Sequence, residues 1–91
     1  MDIEKELSRV LSSGKVKIGF KEALRTEDAK MYIVSRDCPR KKELMEMKDD
    51  VPMYVYHGNN IELGKACGKP FGISVITIID EGKSNILELV K

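Results

Sequence analysis

The sequence predicts a single α/β domain, folded as a three-layer α/β/α sandwich with about four strands. Its 91 residues suffice for one modest hydrophobic core and are too few for two domains. Segments with helical spacing of apolar residues alternate along the chain with apolar runs of strand length, which is typical of helices packed on both faces of a sheet. No repeat or low-complexity linker interrupts this alternation. We therefore expect residues 1–91 to form one domain.

The first part of the chain is predicted to contain two helices separated by a strand. Four apolar residues at helical spacing indicate a first helix, which ends before Gly14: Ile3, Leu7, Val10 and Leu11. Val16 and Ile18 alternate with lysines in a short strand. Residues 20 to about 27 are expected to form the second helix.

The rest of the chain continues the alternation. Residues 31–35 are a near-continuous apolar run, as expected of a central strand that is covered on both faces. A third helix is predicted from Pro39, which a helix start tolerates, and we expect Leu44, Met45 and Met47 to line it as core residues. The pattern then predicts a strand at 53–56, a helix at 60–67, a strand rich in β-branched residues at 73–79 and a last short helix at 85–90.

Charge is unevenly distributed, although the formal net charge is only +1. Bulk basicity therefore does not identify a nucleic-acid binder. Three lysines and no acid lie between Ser13 and Lys21, and two lysines and no acid lie between Leu63 and Ile79, whereas acids pair at 27–28, 49–50 and 80–81. This distribution predicts a protein that holds a polyanion at one end. The alternative is chance segregation of charges on a small domain.

The two cysteines, Cys38 and Cys67, lack the CxxC spacing, the second pair or the nearby histidines of a zinc or thioredoxin-like site. We expect both to be free thiols that pack as small apolar groups, with no metal and no cofactor. The amino terminus is charged and the longest apolar runs are of strand length, so we expect no signal peptide, no membrane partner and a cytosolic location.

The first candidate binding segment is residues 14–25, where an alternating strand meets Gly19 and continues directly as a helix. Amides of the first helical turn lack intrahelical partners and lie at the positive end of the helix dipole, so a phosphate or a carbonyl-rich base edge is a natural ligand there. Lys21 and Arg25 are four residues apart and share a helical face. The alternative is an ordinary turn from strand to helix with a solvated basic face.

The second candidate segment is residues 58–72. It combines two asparagines, two lysines and an aromatic residue with the glycines at positions 64 and 68: Asn59, Asn60, Gly64, Lys65, Gly68, Lys69 and Phe71. An asparagine can cap a short helix, the glycines leave one flank of the helix without Cβ atoms, and the aromatic ring has little apolar cover from its sequence neighbours. The alternative is a capped helix followed by a turn whose Phe71 folds back into the core.

Two motifs in combination make the sequence recognisable. Glu62-Leu63-Gly64 is followed by Gly68-Lys69, and Gly82-x-Ser84-x-Ile86-Leu87 lies near the end of the chain. Together with residues 13–15, 19–21, 33–35, 39, 59–60, 71 and 80–81, they extend over nearly the whole chain. The chain thereby resembles the L-thirty-e family of ribosomal proteins of the archaeal and eukaryotic large subunit, within the L-seven-Ae superfamily of kink-turn RNA binders.

The resemblance implies a mixed sheet and places the two candidate segments side by side, on a surface that binds sharply bent, internally looped RNA. Gly19 would let the RNA backbone come close, and Phe20 to Glu22 would offer amides and a carboxylate acceptor. Phe71 has the position of an aromatic residue that stacks on an unpaired base. Five cations would pair with phosphates: Lys15, Lys21, Arg25, Lys65 and Lys69.

The function that the resemblance implies is structural and not enzymatic: a component of the large ribosomal subunit that binds kinked ribosomal RNA and stabilises its bent form. The implied partners are ribosomal RNA and neighbouring ribosomal proteins, with its own messenger RNA left open, and we expect a monomer when the chain is free. Whether Asn59 and Asn60 hydrogen-bond base edges or only cap the helix is also left open.

One departure from the superfamily pattern bears on the subfamily. Many members carry Asn-Glu-x-x-Lys where this chain has Lys21, Glu22 and Arg25, and an ammonium group cannot both donate and accept hydrogen bonds as an Asn amide does. This favours the ribosomal subfamily over the kink-turn core proteins of small non-coding ribonucleoproteins, which are the alternative.

Two alternatives from other classes are less well supported by the residues. A small enzyme that binds a phosphate ligand would have to use His57, Glu22 or Glu62, yet the sequence supplies no activated nucleophile or paired carboxylates. A protein-docking module would use the basic strip at residues 40–42, which is more typical of a solvated face or a further RNA contact.

Overall fold

The computed structural model describes residues 2–90, which form an α/β domain with the predicted alternation of helices and strands. In chain order the elements are α1 (Ile3–Ser13), β1 (Lys15–Ile18), α2 (Phe20–Arg25), β2 (Met31–Val34), α3 (Lys41–Met47), β3 (Met53–Val55), α4 (Asn60–Ala66), β4 (Val75–Asp80) and a 3₁₀ helix (Ile86–Val90).

The four strands form one mixed sheet in the order β1-β4-β2-β3. β4 is antiparallel to both β1 and β2, whereas β2 and β3 are parallel. Ile18 pairs with Ile76, and Val34 pairs with both Val75 and Val55. The ends of β1, β2 and β3 and the start of β4 therefore lie at one edge of the sheet, which we call the loop edge. The mixed sheet that the resemblance implied is confirmed.

Helices cover both faces of this sheet. Met31 and Ile33 of β2 point to one face, where they pack with apolar residues of α1, α4 and the 3₁₀ helix. Tyr32 and Val34 point to the other face, where they pack with residues of α2 and α3. Successive residues of a strand point to opposite faces, so one strand contributes to two cores. The predicted three-layer sandwich is confirmed.

Some element boundaries differ from the predicted ones. α2 ends at Arg25 because Thr26 has an extended backbone and its Oγ1 donates to the carbonyl oxygen of Glu22 at 2.7 Å. α3 begins at Lys41, after a turn that contains Pro39, and not at the proline itself. β4 begins at Val75 instead of residue 73.

The prediction that Met45 and Met47 are core residues is wrong. Their exposed fractions are 51% and 58%, whereas Leu44 is fully buried. α3 has only seven residues, about two turns, so its inward face is narrow and Leu44 fills it.

The predicted packing of both cysteines as free thiols is confirmed. Cys38 and Cys67 are unpaired and buried. Burial raises the pKa of the Cys67 thiol to about 11, so this group stays protonated at neutral pH.

Candidate nucleic-acid interface

The loop edge contains a cleft of about 290 Å³ between the two candidate segments. One wall is the junction of β1 and α2, at Ile18, Gly19 and Phe20, and the opposite wall is the stretch directly after Phe71. Residues of the segment between β2 and α3 also line the cleft: Cys38, Pro39 and Arg40. Residues 14–25 and 58–72, which are distant in sequence, thus meet at this cleft through residues 18–20 and Gly72, whereas Phe71 and the candidate cations do not line it.

The start of α2 is open. Gly19 has φ 109° and ψ 156°, a conformation that is essentially restricted to glycine, and a Cβ placed on it would meet no atom within 4 Å. Its amide donates to the carbonyl oxygen of Val75 at 3.0 Å, which fixes the turn against β4. Among residues 2–90, no side chain caps this helix start. Lys21 and Arg25 are exposed on α2, and Glu22 is half-buried.

Arg40 contributes a charge to the cleft that was not among the candidate binding residues. Its guanidinium lies 3.9 Å from the centre of the Phe20 ring, a cation–π contact. Its Nε and Nη2 atoms each donate to the Glu43 carboxylate at 2.9 Å. These bonds raise the pKa of Arg40 and lower the pKa of Glu43. The basic strip at residues 40–42 was the sequence signal for Arg40, but its contact with Phe20 could not be read from spacing.

The start of α4 is closed by its own residues. The Asn59 side chain accepts a hydrogen bond from the Glu62 amide at 2.9 Å, and the Glu62 carboxylate accepts one from the Asn59 amide at 3.0 Å, which is a capping box. The next residue, Asn60, donates from its amide and its Nδ2 to Asp37 at 2.9 and 2.8 Å. Capping is therefore done by Asn59, while Asn60 binds a carboxylate of another segment.

Phe71 is exposed, with 54% of its surface accessible, so it does not fold back into the core. The segment that carries Phe71 packs closely against α4 at Gly64. A Cβ at this position would overlap the carbonyl oxygen of Phe71, so the contact requires glycine. The Gly64 carbonyl also accepts from the Lys69 amide at 2.9 Å. Lys65 and Lys69 line a small cleft of about 110 Å³ together with the Phe71 ring. The exposed Phe71 thus lies beside two lysines, on a segment held close to α4.

Lys15 lies at the start of β1, away from the cleft at the loop edge. It begins β1 and pairs with Asp80, whereas the cleft lies at the opposite end of that strand, beyond Ile18. The structure therefore places Lys15 opposite Asp80, and Lys15, like the other four candidate cations, is not in the lining of the cleft.

Of the residues that an enzyme would have to use, His57 and Glu62 line one surface pocket together with Glu4, whereas Glu22 lies apart from them. His57 is exposed and stacks against Tyr56, with ring centres 4.3 Å apart. Glu62 belongs to the capping box of α4, while Glu22 is on α2 at the other face of the sheet. Within residues 2–90, no cluster of three or more His, Cys, Asp or Glu side chains could hold a metal ion. No helix of that part of the chain is long and apolar enough to span a membrane.

Comparison with known proteins gives a consistent result. The sequence model described as "Ribosomal protein L7Ae/L30e/S12e/Gadd45 family" matches residues 1–88. The chain is 43% identical to the large ribosomal subunit protein eL30 of Sulfolobus acidocaldarius, over 97% of this chain and 91% of the relative. It is 42% identical to eL30 of Oryza sativa subsp. japonica, over 96% and 85% of the two chains, and 38% identical to eL30 of Methanospirillum hungatei, over 98% of each. These relatives are ribosomal proteins and not enzymes.

Proposed function

The chain belongs to the ribosomal protein L7Ae/L30e/S12e/Gadd45 family, and from that premise we propose that it is a component of the large ribosomal subunit that binds kinked, internally looped ribosomal RNA. The relatives are named as proteins of the large subunit, in plants and in archaea. Their agreement across such distant organisms supports a place in the cytoplasmic ribosome, with ribosomal RNA and neighbouring ribosomal proteins as partners.

The observation that carries the proposal is the exposed Phe71 beside Lys65 and Lys69, directly before the stretch that forms one wall of the cleft at the loop edge. An exposed aromatic ring among cations provides a face for a base and charges for the adjoining phosphates. Gly19, with open space around it, forms the opposite wall. This pairing suits a nucleic acid that presents both an unpaired base and closely spaced phosphates.

A kinked RNA presents those features together. Its bend brings two phosphate backbones close to each other, and their repulsion opposes the bent form. Exposed cations of the two segments that flank the cleft would reduce that repulsion: Lys21, Arg25, Lys65 and Lys69. Since the protein would bind the bent form better than the open form, binding and bending become a single equilibrium.

Base recognition would come from both walls of the cleft. A base extruded from the helix would stack on Phe71, and such a stack is worth about 1–3 kcal/mol by truncation. On the opposite wall, amides of Phe20 to Glu22 would donate to base carbonyls and the Glu22 carboxylate would accept from guanine or cytosine amino groups. Gly19 would allow the RNA backbone to come close to these groups.

We propose that the same surface binds any RNA that carries the same bend, which would include its own messenger RNA where that has such a bend. We propose that the free chain is a monomer.

The test is a titration of the full chain, at a stated salt concentration, against a fluorescent hairpin with a kink-turn internal loop and against the same stems with the loop fully paired. We expect the looped RNA to bind at least about a hundredfold more tightly, a difference of roughly 2.7 kcal/mol. Equal, weak and steeply salt-dependent binding of both RNAs would show only a generic polyanion surface and would contradict the proposal.

A further inference from the structure

We propose that Asp37 is a positioning residue of the RNA-binding surface: its carboxylate holds Asn60 and, through Asn60, fixes the segment that carries Phe71. The inference rests on the proposed function and adds a residue to which the sequence assigned no role.

Both carboxylate oxygens of Asp37 are used in hydrogen bonds. Oδ1 accepts from the Asn60 amide at 2.9 Å and from the Ser35 hydroxyl at 2.8 Å, and Oδ2 accepts from Asn60 Nδ2 at 2.8 Å. Ser35 is fully buried at the end of β2, so the carboxylate is anchored to the sheet on one side and to α4 on the other. Hydrogen bonds to an ionised acceptor are about twice as strong as neutral ones.

Asn60 extends this connection to the segment that follows Phe71. Its carbonyl oxygen accepts from the Ile73 amide at 2.9 Å, and a Cβ at Gly72 would overlap its Oδ1 atom. Asn60 therefore contacts the two residues directly after Phe71 while its side chain and amide are held by Asp37. The contacts therefore run from the end of β2 through Asp37 and Asn60 to the segment that carries Phe71.

The negative charge of Asp37 makes this role testable, because a positioning residue and a merely repulsive charge predict opposite changes in RNA affinity when Asp37 is removed. Asp37 is exposed and negative at the edge where phosphates would bind, so its charge alone disfavours RNA. Removing a merely repulsive charge would tighten binding of every RNA. Removing a positioning residue would instead weaken the looped RNA selectively, because stacking on Phe71 needs the ring in one place whereas contact with phosphates does not.

The experiment measures affinity for the looped hairpin and for its fully paired control with Asp37→Ala, Asp37→Asn and Asp28→Ala. Asp28 is an exposed acid near the opposite end of β2 and is the matched control for charge. We expect Asp37→Ala to weaken the looped RNA about tenfold without weakening the paired RNA. Asp37→Asn removes the same charge and keeps one acceptor oxygen, but its NH2 group cannot accept the other hydrogen bond, so its loss of affinity should be smaller than that of Asp37→Ala without being absent. Asp28→Ala should change neither RNA selectively. Tighter binding of both RNAs by Asp37→Ala would overturn the inference.

A double-mutant cycle with Asn60→Ala separates positioning from base reading. If Asp37 acts through Asn60, the loss of affinity in the double variant is smaller than the sum of the two single losses, whereas additive losses would overturn the inference.

Hydrogen exchange tests the same connection in the unmodified protein. The amides of Asn60 and Ile73 should exchange slowly with solvent, and rapid exchange would also overturn the inference without requiring any variant to fold. Equal binding of both RNAs by the unmodified protein would contradict the proposed function, yet leave that exchange protection in place.

Discussion

The starts of α2 and α4 both lie at the loop edge, but they use their polar groups differently. At α4, Asn59 and Glu62 close the capping box and Asn60 donates to Asp37, so these groups are satisfied within the protein. At α2, Gly19 leaves open space and no side chain of residues 2–90 caps the helix. The comparison teaches that the α4 start holds the edge together, whereas the α2 start has no capping side chain among the described residues and is therefore open to the RNA contact that we propose.

Removing the Phe71 ring should give the largest effect on binding, because Phe71 faces outward and supports nothing in the core. We expect Phe71→Ala to weaken looped RNA by about 1–3 kcal/mol, the value of one base stack. The melting temperature should change little. Met47→Ala, which removes an equally exposed apolar side chain from α3, is the control and should affect neither RNA. If the two variants bound looped RNA equally well, Phe71 would not be a stacking residue.

Adding a methyl group at the open helix start should reduce both stability and binding. Gly19→Ala forces an L-residue into a backbone conformation that costs on the order of 1–3 kcal/mol, although no neighbouring atom obstructs the methyl group. Denaturant unfolding would measure the loss of stability. Titration with looped RNA would measure the loss of affinity that a displaced α2 start causes. An unchanged free energy of unfolding would show that the turn does not require glycine.

Removing the cap of α4 should act chiefly on stability. Asn59→Ala deletes one of the two hydrogen bonds of the capping box, the one that the Asn59 side chain accepts from the Glu62 amide. This loss should destabilise the protein by about 1 kcal/mol. Thermal unfolding would show this as a melting temperature lowered by about 4–8 °C. Asn85→Ala, at another exposed asparagine, is the control. A loss of looped RNA binding much larger than the stability loss would mean that Asn59 also reads a base, which would break the contrast between the two helix starts.

Salt dependence should separate two lysines of the same amino-terminal basic stretch. Lys21 follows the open start of α2, whereas Lys15 lies at the other end of β1 beside Asp80. We expect Lys21→Ala to reduce the slope of log affinity against log salt by about 0.7–0.9, the contribution of one phosphate contact. Lys15→Ala should leave the slope unchanged. Equal reductions would show that RNA also covers the far end of β1.

Stability should depend on pH through Asp37, with a smaller effect because this carboxylate is exposed. Hydrogen bonds from Ser35 and Asn60 lower its pKa below the ordinary value of 3.8. A carboxylate whose pKa is lowered in the folded state stabilises the protein at pH values above its ordinary pKa. This contribution is lost as the pH falls through the folded-state pKa. Urea unfolding from neutral pH down to about pH 2 should therefore show a stability difference between wild type and Asp37→Asn that shrinks in acid. A difference that is constant over this range would contradict the hydrogen-bonded carboxylate.

Local sequence signals account for most of the fold and for part of the candidate site. The alternation of helical and strand patterns gave the layers, and Gly19 and Phe71 stood out because each interrupts a regular pattern. The bond between Asp37 and Asn60 could not be predicted, since its partners are 23 residues apart and meet only when β2 and β3 pair in parallel. The exposure of Met45 likewise depends on the length of α3, and the remoteness of Lys15 depends on the register of β1 against β4.

A map of backbone amide shifts during titration with the looped hairpin would test the central claim most directly. The account predicts that the changes concentrate at residues 19–22, 38, 40, 65–69 and 71–74, around the cleft and Phe71, while the Asn60 amide stays protected from exchange throughout. Changes concentrated on α1 or on the carboxyl-terminal end of α3, with residues 19–22 and the Phe71 ring unaffected, would contradict it.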